Sequence, residues 1–310
     1  MSDRHVIIGA GPVGRATAAA LETRGAEVVL ASRSGRDGTT AVDATDADAL
    51  ARLADRAVAL YNCVNPPAYD KWPQLWPPVA QALLNAAERS SAVLVTAANL
   101  YPYGQVPGGL MREGMPDSAA GKKARVRAKM TADAFTAHQA GRIRAVEVRG
   151  SDYMGAGPGD YAHVPRVLTK ALEGKTVSVL GSTDQPHTWT DVGDMGRALA
   201  TVAMEESAWG RVWHAPSNPP RTQAEAVNDV LSSVNAEPVR VKAMPDVVLA
   251  VAAPFVPIVR ELRETLYQFT SPFVMDSSAL SAAYGLEPAP WDEICHRTAR
   301  EPSRHCRSQA

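Results

Sequence analysis

Cysteine is scarce in this chain, with only Cys63, Cys295 and Cys306 among 310 residues. None pairs with another in CxxC spacing, and no histidine stands beside them in metal-ligand register. A disulfide framework and a zinc site are therefore set aside, and reduced thiols are expected. An excess of charge of either sign is missing too. Thirty-two Lys and Arg face 33 Asp and Glu, a formal net charge of -1, which leaves no electrostatic footprint for nucleic acid. No apolar run is long enough to span a bilayer, and no signal-peptide pattern opens the chain, because a strand pattern starts at His5. The expectation is a cytoplasmic protein, monomer or homodimer, that acts on a small molecule rather than on nucleic acid or a membrane.

What is present is an ordinary globular composition, 45% hydrophobic and 21% charged, in a chain long enough for one large domain and a second lobe. Short apolar runs at 5–8, 27–31, 57–62, 92–96 and 144–148 read as strands. Between them, 13–24, 47–53, 76–89 and 126–140 read as helices with Ala-rich faces suited to close packing on a sheet. That alternation predicts an α/β, doubly wound parallel sheet. The stretch 101–121 lacks periodicity and is rich in Pro and Gly, so it is a candidate active-site margin. Beyond Arg149 the elements shorten, broken by Gly155-Ala156-Gly157-Pro158 and Asn218-Pro219-Pro220. We accordingly assign 1–150 to a dinucleotide-binding domain, with 188–204 returning to it, and 151–187 and 205–300 to a smaller C-terminal substrate-binding lobe. Residues 301–310 read as a poorly ordered tail, and 250–266 as a packing helix lining the cleft or a dimer face.

Gly9-Ala10-Gly11-Pro12-Val13-Gly14 follows the strand Val6-Ile7-Ile8 and opens an Ala-rich helix, the context a GxGxxG dinucleotide fingerprint requires. Gly9 suits the tight turn, Gly11 the approach of the pyrophosphate, and Gly14 close helix–strand packing. Pro12 is compatible with the first helical turn, and the helix N-terminus offers N–H donors to an anion. This is a Rossmann-type site. At the end of the second strand, Leu30-Ala31-Ser32-Arg33-Ser34 carries no acid to bind a ribose 2'-OH. Arg33, helped by Ser32 and Ser34, can instead hold a 2'-phosphate, so NADP is expected in preference to NAD. Asp43-Ala44 and Asn62-Cys63-Val64-Asn65 end later strands, where doubly wound sheets bind ligands, although an Asp in a turn is as often a local cap.

On these residues the chain resembles the extended or atypical branch of the short-chain dehydrogenase/reductase superfamily, the NAD-dependent epimerase/dehydratase type. The resemblance rests on the glycine motif, on Leu100-Tyr101-Pro102-Tyr103-Gly104 as a VYG-like stretch, and on Arg149 to Pro158. Thr188 to Asp194 and Tyr284-Gly285-Leu286-Glu287-Pro288 add to it. The family implies a Ser/Thr that orients the substrate oxygen, a Tyr that transfers the proton, and a Lys four residues on that holds the ribose. Counting from Tyr103-Gly104 puts Asn99 at the Ser/Thr position. The YxxxK position then reads Arg125-Val126-Arg127-Ala128-Lys129, with lysine kept and tyrosine lost. Lys129 is expected to hold the ribose, with Arg125 and Asn99 toward the substrate. Tyr101, Tyr103 and Tyr153 are candidate hydroxyl donors, although for any single one packing as a wall residue is the better reading. Asp152 takes the family's substrate-facing Asn position, and Gly150-Ser151 would meet the nicotinamide carboxamide. The run Lys122, Lys123, Arg125, Arg127, Lys129 invites an anionic partner or forms a solvated helix face. The resemblance implies an NAD(P)-dependent oxidoreductase or epimerase/dehydratase-like enzyme acting on a small polar substrate with an altered Ser-Tyr-Lys triad. The alternative is a non-catalytic NADP-binding regulatory or redox-sensing protein of the atypical branch.

Overall fold

Strands buried on both faces need near-continuous apolar sequence, and the runs around Val6–Ile8, Ala59–Tyr61 and Val93–Val95 become the inner strands of one parallel sheet. A computed structural model describes residues 3–66, 68–159, 162–244 and 264–300. In chain order the elements are β1 (Arg4–Ile8), α1 (Pro12–Glu22), β2 (Glu27–Ser32), β3 (Thr40–Ala41), α2 (Ala47–Leu53), β4 (Ala59–Asn62), α3 (Trp72–Ser90) and β5 (Val93–Asn99). They continue with β6 (Leu110–Met111), α4 (Lys122–Gln139), β7 (Arg144–Gly150), β8 (Asp152–Met154), α5 (Pro165–Leu172), β9 (Val177–Val179), β10 (Trp189–Asp191), α6 (Val192–Val202) and β11 (Val212–His214).

The seven-stranded sheet runs β11-β7-β5-β4-β1-β2-β3, and every neighbouring pair is parallel. The strand order reverses at β1 and β4, which opens the crevice where doubly wound sheets take ligands. Helices cover both faces: α2 and α3 belong to one apolar cluster, α1 and α6 to the other. Helices α1 and α6 touch closely. A Cβ on Gly196 of α6 would come within 2.5 Å of the Ala16 backbone, so only glycine permits that spacing. β11 pairs with β7, so 212–214 return to the sheet, beyond the 188–204 that the sequence pattern assigned to it.

Two helices start a turn earlier than their apolar periodicity predicts. α3 begins at Trp72 with Pro77 and Pro78 inside it. Trp72 and Trp76, four residues apart and both buried, anchor that start against the sheet. α4 begins at Lys122, because the Glu264 carboxylate accepts from the Lys123 backbone N–H at 2.9 Å. That partner is 141 residues away in sequence and caps donors that a helix start leaves unsatisfied. The 101–121 stretch is not wholly irregular: it holds a 3-10 turn at Tyr101–Tyr103 and β6, which pairs with Val274–Met275.

The smaller lobe packs Met154, Leu168, Trp189, Val227, Leu231, Phe269 and Ile294 into its own core. β8 pairs with β10, and β9 with the short strand Val241–Ala243. The expected packing helix at 250–266 lies almost wholly outside the described residues, as does the 301–310 tail.

Candidate active site

The glycine turn is built as its chemistry requires. Gly9 has φ +109°, and a Cβ there would lie 2.4 Å from the Cys63 carbonyl oxygen; at Gly14 it would lie 1.8 Å from the Gly9 carbonyl oxygen. A Cβ on Gly11 would meet nothing within 4 Å. Two glycines are therefore needed by the fold, and the third faces open space. α1 has Pro12 in its first turn, no side-chain cap and no acidic residue there, so its N–H donors and positive end are left for an anion. This cradle fits the pyrophosphate of a dinucleotide. Val13 lies at the turn as well, and Cys63 turns its thiol inward. Burial pushes that thiol up to about 12, against a hydrogen bond with Thr17; the backbone of Cys63 and Val64 meets the turn, with Asn65 next in the chain.

At the end of β2, Arg33 is exposed. Ser32 Oγ is committed to the loop, 2.7 Å from Thr39 Oγ1, and accepts from Gly35 N at 3.1 Å; Ser34 lies 3.4 Å from it. Asp43, ahead of Ala44, accepts from Thr45 N at 2.9 Å and Thr45 Oγ1 at 2.8 Å. These Thr45 bonds, with the charge of Arg33, hold its carboxyl below the usual range. That is the local-cap arrangement.

Asn99 ends β5 beside Gly150, and its Oδ1 accepts from Tyr101 N at 3.3 Å. Next to Gly150, Ser151 donates its N–H to Thr190 Oγ1 at 2.9 Å, while its own buried hydroxyl has no partner among the described residues. The three tyrosines separate. Tyr103 is buried and its hydroxyl donates to His214 Nε2 at 2.9 Å, since His214 Nδ1 gives its proton to the Asp276 carbonyl at 2.6 Å. Arg149 lies over the Tyr103 ring at 4.5 Å. Tyr101 instead shares a hydrogen bond with the Tyr69 hydroxyl and feels Asp152, as Tyr153 does. Burial raises both phenols well above their ordinary value. Tyr101 and Tyr153 thus both lie within electrostatic reach of Asp152, and the Tyr103 hydroxyl is engaged by His214.

The cations of α4 separate just as sharply. Lys129 has a side chain 73% exposed and pairs with Asp133 at 2.8 Å. Arg125 is exposed and donates to the Ala120 carbonyl. Arg125 stays at the surface, and Lys129 borders a cavity of about 740 Å³ together with Tyr103, Glu113 and Arg149. Lys123 and Arg127, interleaved with them, are 1% and 5% exposed. Lys123 Nζ lies 3.0 Å from Glu264 Oε2 and 6.0 Å from the Tyr69 ring centre. Arg127 donates to the Ala97 carbonyl at 2.8 Å and lies 4.7 Å over the Trp76 ring. Both cations neighbour the Tyr69–Tyr101 pair. A cavity of about 280 Å³ reaches Lys123 between Tyr101, Gly121, Glu264 and Tyr267. Their four-residue spacing equals that of the family's Tyr and Lys, two positions ahead of the register counted from Lys129. The signal available in sequence was helix phase: the buried positions of α4 are Lys123, Ala124, Arg127, Thr131 and Ala137, one stripe of a 3.6-residue period.

Opposite this face, His163, Arg166 and His187 from the lobe surround Asp152. Burial works against the Asp152 charge, but His163, His187 and Arg166 outweigh it and hold the carboxyl below its ordinary value. None of the three stood out in the sequence, since they come from separate segments with no motif between them. Among the described residues no group of His, Cys, Asp and Glu is placed to hold a metal, and no helix is long and apolar enough to cross a membrane.

A glycine-turn crevice faced by the ends of parallel strands is the architecture of a Rossmann-type dinucleotide-binding fold. The chain belongs to the NAD dependent epimerase/dehydratase family, whose model matches residues 6–214. Comparison with curated proteins gives no match. Among solved structures, it is similar to dTDP-glucose 4,6-dehydratase from Bacillus anthracis in complex with NAD (15% identity, 96% of each chain covered, TM-score 0.76). It is also similar to UDP-glucose 4-epimerase from Thermus thermophilus in complex with NAD (18% identity, 99% of this chain and 100% of that one, TM-score 0.74). A third is RMD from Pseudomonas aeruginosa complexed with NADPH (16% identity, 96% and 98% covered, TM-score 0.72). At these identities the likeness concerns the fold.

Proposed function

We propose that the protein is an NADP-dependent oxidoreductase or epimerase/dehydratase-like enzyme acting on a small polar, hydroxyl-bearing substrate, with Lys123 and Arg127 in place of the family's Tyr and Lys. The observation that carries this reading is the burial of these two cations, four residues apart, beside Tyr101 and the Asn99 end of β5. Gly9, Gly11, Pro12, Val13 and Gly14 would hold the pyrophosphate. Ser32, Arg33 and Ser34 would hold the 2'-phosphate, and Gly150-Ser151 the carboxamide end. The bound dinucleotide supplies or accepts the hydride.

The residues of the chain do the rest. Arg127 is fixed by its carbonyl and its aromatic neighbour, so it offers a permanent charge to an oxygen of cofactor or substrate without taking part in proton exchange. Lys123 carries three protons, and its ion pair with Glu264 ties it to a carboxylate. It can donate to a substrate oxygen as negative charge develops there, or take the proton back through that carboxylate. Tyr101, hydrogen-bonded to Tyr69, and Asn99 can orient the same oxygen. A dehydratase or epimerase cycle needs such a group in both directions.

The altered triad favours a second reading, a dinucleotide-responsive regulatory protein in which these residues only bind. A turnover screen with NADP and NADPH across hydroxyl- and carbonyl-bearing small molecules, nucleotide sugars included, separates the two. We expect conversion of at least one class. Tight NADPH binding with no conversion anywhere in the screen, together with a cofactor-dependent change in association with another protein, would replace the enzyme reading by the regulatory one.

A further inference from the structure

Two histidines flank the Asp152 carboxylate, and their other partners assign them opposite protonation states. Asp152 Oδ2 lies 2.8 Å from His187 Nε2, and His187 Nδ1 lies 3.1 Å from the Gln268 carbonyl oxygen. A carbonyl and an ionised carboxylate can only accept. Both ring nitrogens of His187 must then donate, which makes it an imidazolium. On the other side, Asp152 Oδ1 lies 3.5 Å from His163 Nε2, and His163 Nδ1 is in contact with Arg166 Nη2. A guanidinium can only donate. His163 therefore accepts on Nδ1 and keeps one proton, on Nε2, facing Asp152. Burial pushes its pKa down to about 3 despite Asp152, in agreement with a neutral ring.

Burial by itself disfavours a charged His187, so its hydrogen-bond partners and aromatic neighbours must offset that cost. His187 is 1% exposed and stacks between Phe269 at 4.9 Å and Phe273 at 5.3 Å, with Trp189 at 4.5 Å. Aromatic faces attract positive charge. The remaining groups facing Asp152 are Arg166 and the hydroxyls of Tyr69, Tyr101 and Tyr153. None of them is an anion near neutral pH. Asp152 keeps 20% of its side chain exposed, so lone pairs remain accessible.

We propose that His187 is a positioning residue, held as an imidazolium inside the lobe, that fixes Asp152 as a permanent carboxylate at the cleft. The proton order Arg166 to His163 to Asp152, met by His187 from the other side, gives the site a pure acceptor. An amide at this position would both donate and accept. That this acceptor meets a hydroxyl or ammonium of the substrate rests on the cleft being the substrate site; the proton order does not.

The test is NMR on the full chain at pH 7 with nitrogen-15 histidine and carbon-13 aspartate, assigned with H163Q and H187Q. We expect both His187 nitrogens to carry protons, His163 to carry one on Nε2 alone, and the Asp152 carboxyl to keep its ionised shift from pH 8 down to pH 4. In Asp152→Asn, His187 should fall to a single ring proton. A neutral His187 in the wild-type protein, a doubly protonated His163, or a His187 still charged in Asp152→Asn would overturn the proposal. If H187Q does not fold, a histidine-selective spectrum of Asp152→Asn still decides it. Failure of NADPH to bind would strike the functional reading while leaving these proton counts intact.

Discussion

Lys123 and Arg127 stand one helical turn apart on α4 with both cationic heads buried, while Arg125 and Lys129 between and beyond them point to solvent. We expect Lys123→Met to lower turnover by about a hundredfold or more, the usual scale for losing a general acid or base, with NADPH still bound. Lys129→Met and Arg125→Ala should leave turnover within about twofold, because their partners, Asp133 and the Ala120 carbonyl, lie at an exposed surface where such pairs contribute at most about 1 kcal/mol. Steady-state kinetics with a denaturation curve for each variant checks this. Loss of activity in Lys129→Met with a normal Lys123→Met would restore the register counted from Lys129.

NADPH should bind more tightly than NADH. Arg33 lies exposed at the end of β2, where the adenosine ribose meets the sheet edge in this fold. A charge-assisted bond to the 2'-phosphate is worth about 1.5–3 kcal/mol, so Arg33→Ala should weaken NADPH by roughly ten- to a hundredfold and leave NADH nearly unchanged. Fluorescence titration of both dinucleotides measures this, and an unaltered NADPH affinity in Arg33→Ala would remove the assignment.

The doubly wound sheet was legible because its strands are buried on both faces and read as plain apolar runs, with the glycine turn directly after the first. The glycine turn was legible for a related reason: Gly9 and Gly14 are required by local contacts that a short motif encodes. The opposite wall was not. Asp152 stood at a family position, but His163, Arg166 and His187 reach it from separate segments of the lobe, with no spacing that marks them. On α4 the five cations were visible, yet which of them are buried depends on where the helix starts, and a carboxylate that meets that start, Glu264, comes from the far end of the chain.

Gly11 and Gly14 should fail in different ways. A Cβ on Gly14 would overlap the Gly9 carbonyl oxygen at 1.8 Å, whereas one on Gly11 meets open space. Gly14→Val is expected to cost about 4 kcal/mol or more, a size reserved for broken backbone packing. Gly11→Val should melt within a few degrees of the wild type yet lose dinucleotide binding, because its side chain occupies the space the pyrophosphate needs. Thermal melts with and without NADPH test both. Normal cofactor binding by folded Gly11→Val would show that the open side of the turn is not the ligand side.

Two buried histidines predict the response to acid. Burial is the largest cause for both, lowering His163 to about 3 and His214 to about 4, against about 6.5 in an unfolded chain. A ring kept neutral in the folded state and protonated in the unfolded state adds stability that is fully present above pH 6.5. As pH falls toward 4, the unfolded chain takes up protons that the folded protein refuses, so stability declines. Each such histidine contributes a slope of at most about 1.4 kcal/mol per pH unit within that window. His214 accepts the Tyr103 proton and His163 the Arg166 proton, so protonating either would also break its hydrogen bond. Urea unfolding at half-unit intervals from pH 6.5 to pH 4 should therefore show a steady loss of free energy; above pH 6.5 the imidazolium proposed at His187 works the other way, because the folded protein keeps a proton that the unfolded chain releases, so stability declines there as pH rises. H163Q and H214Q should each be less stable at pH 8 and lose less on acidification than the wild type. A wild-type curve that stays flat down to pH 4.5, or single variants with undiminished slopes, would mean that these rings are protonated in the folded protein.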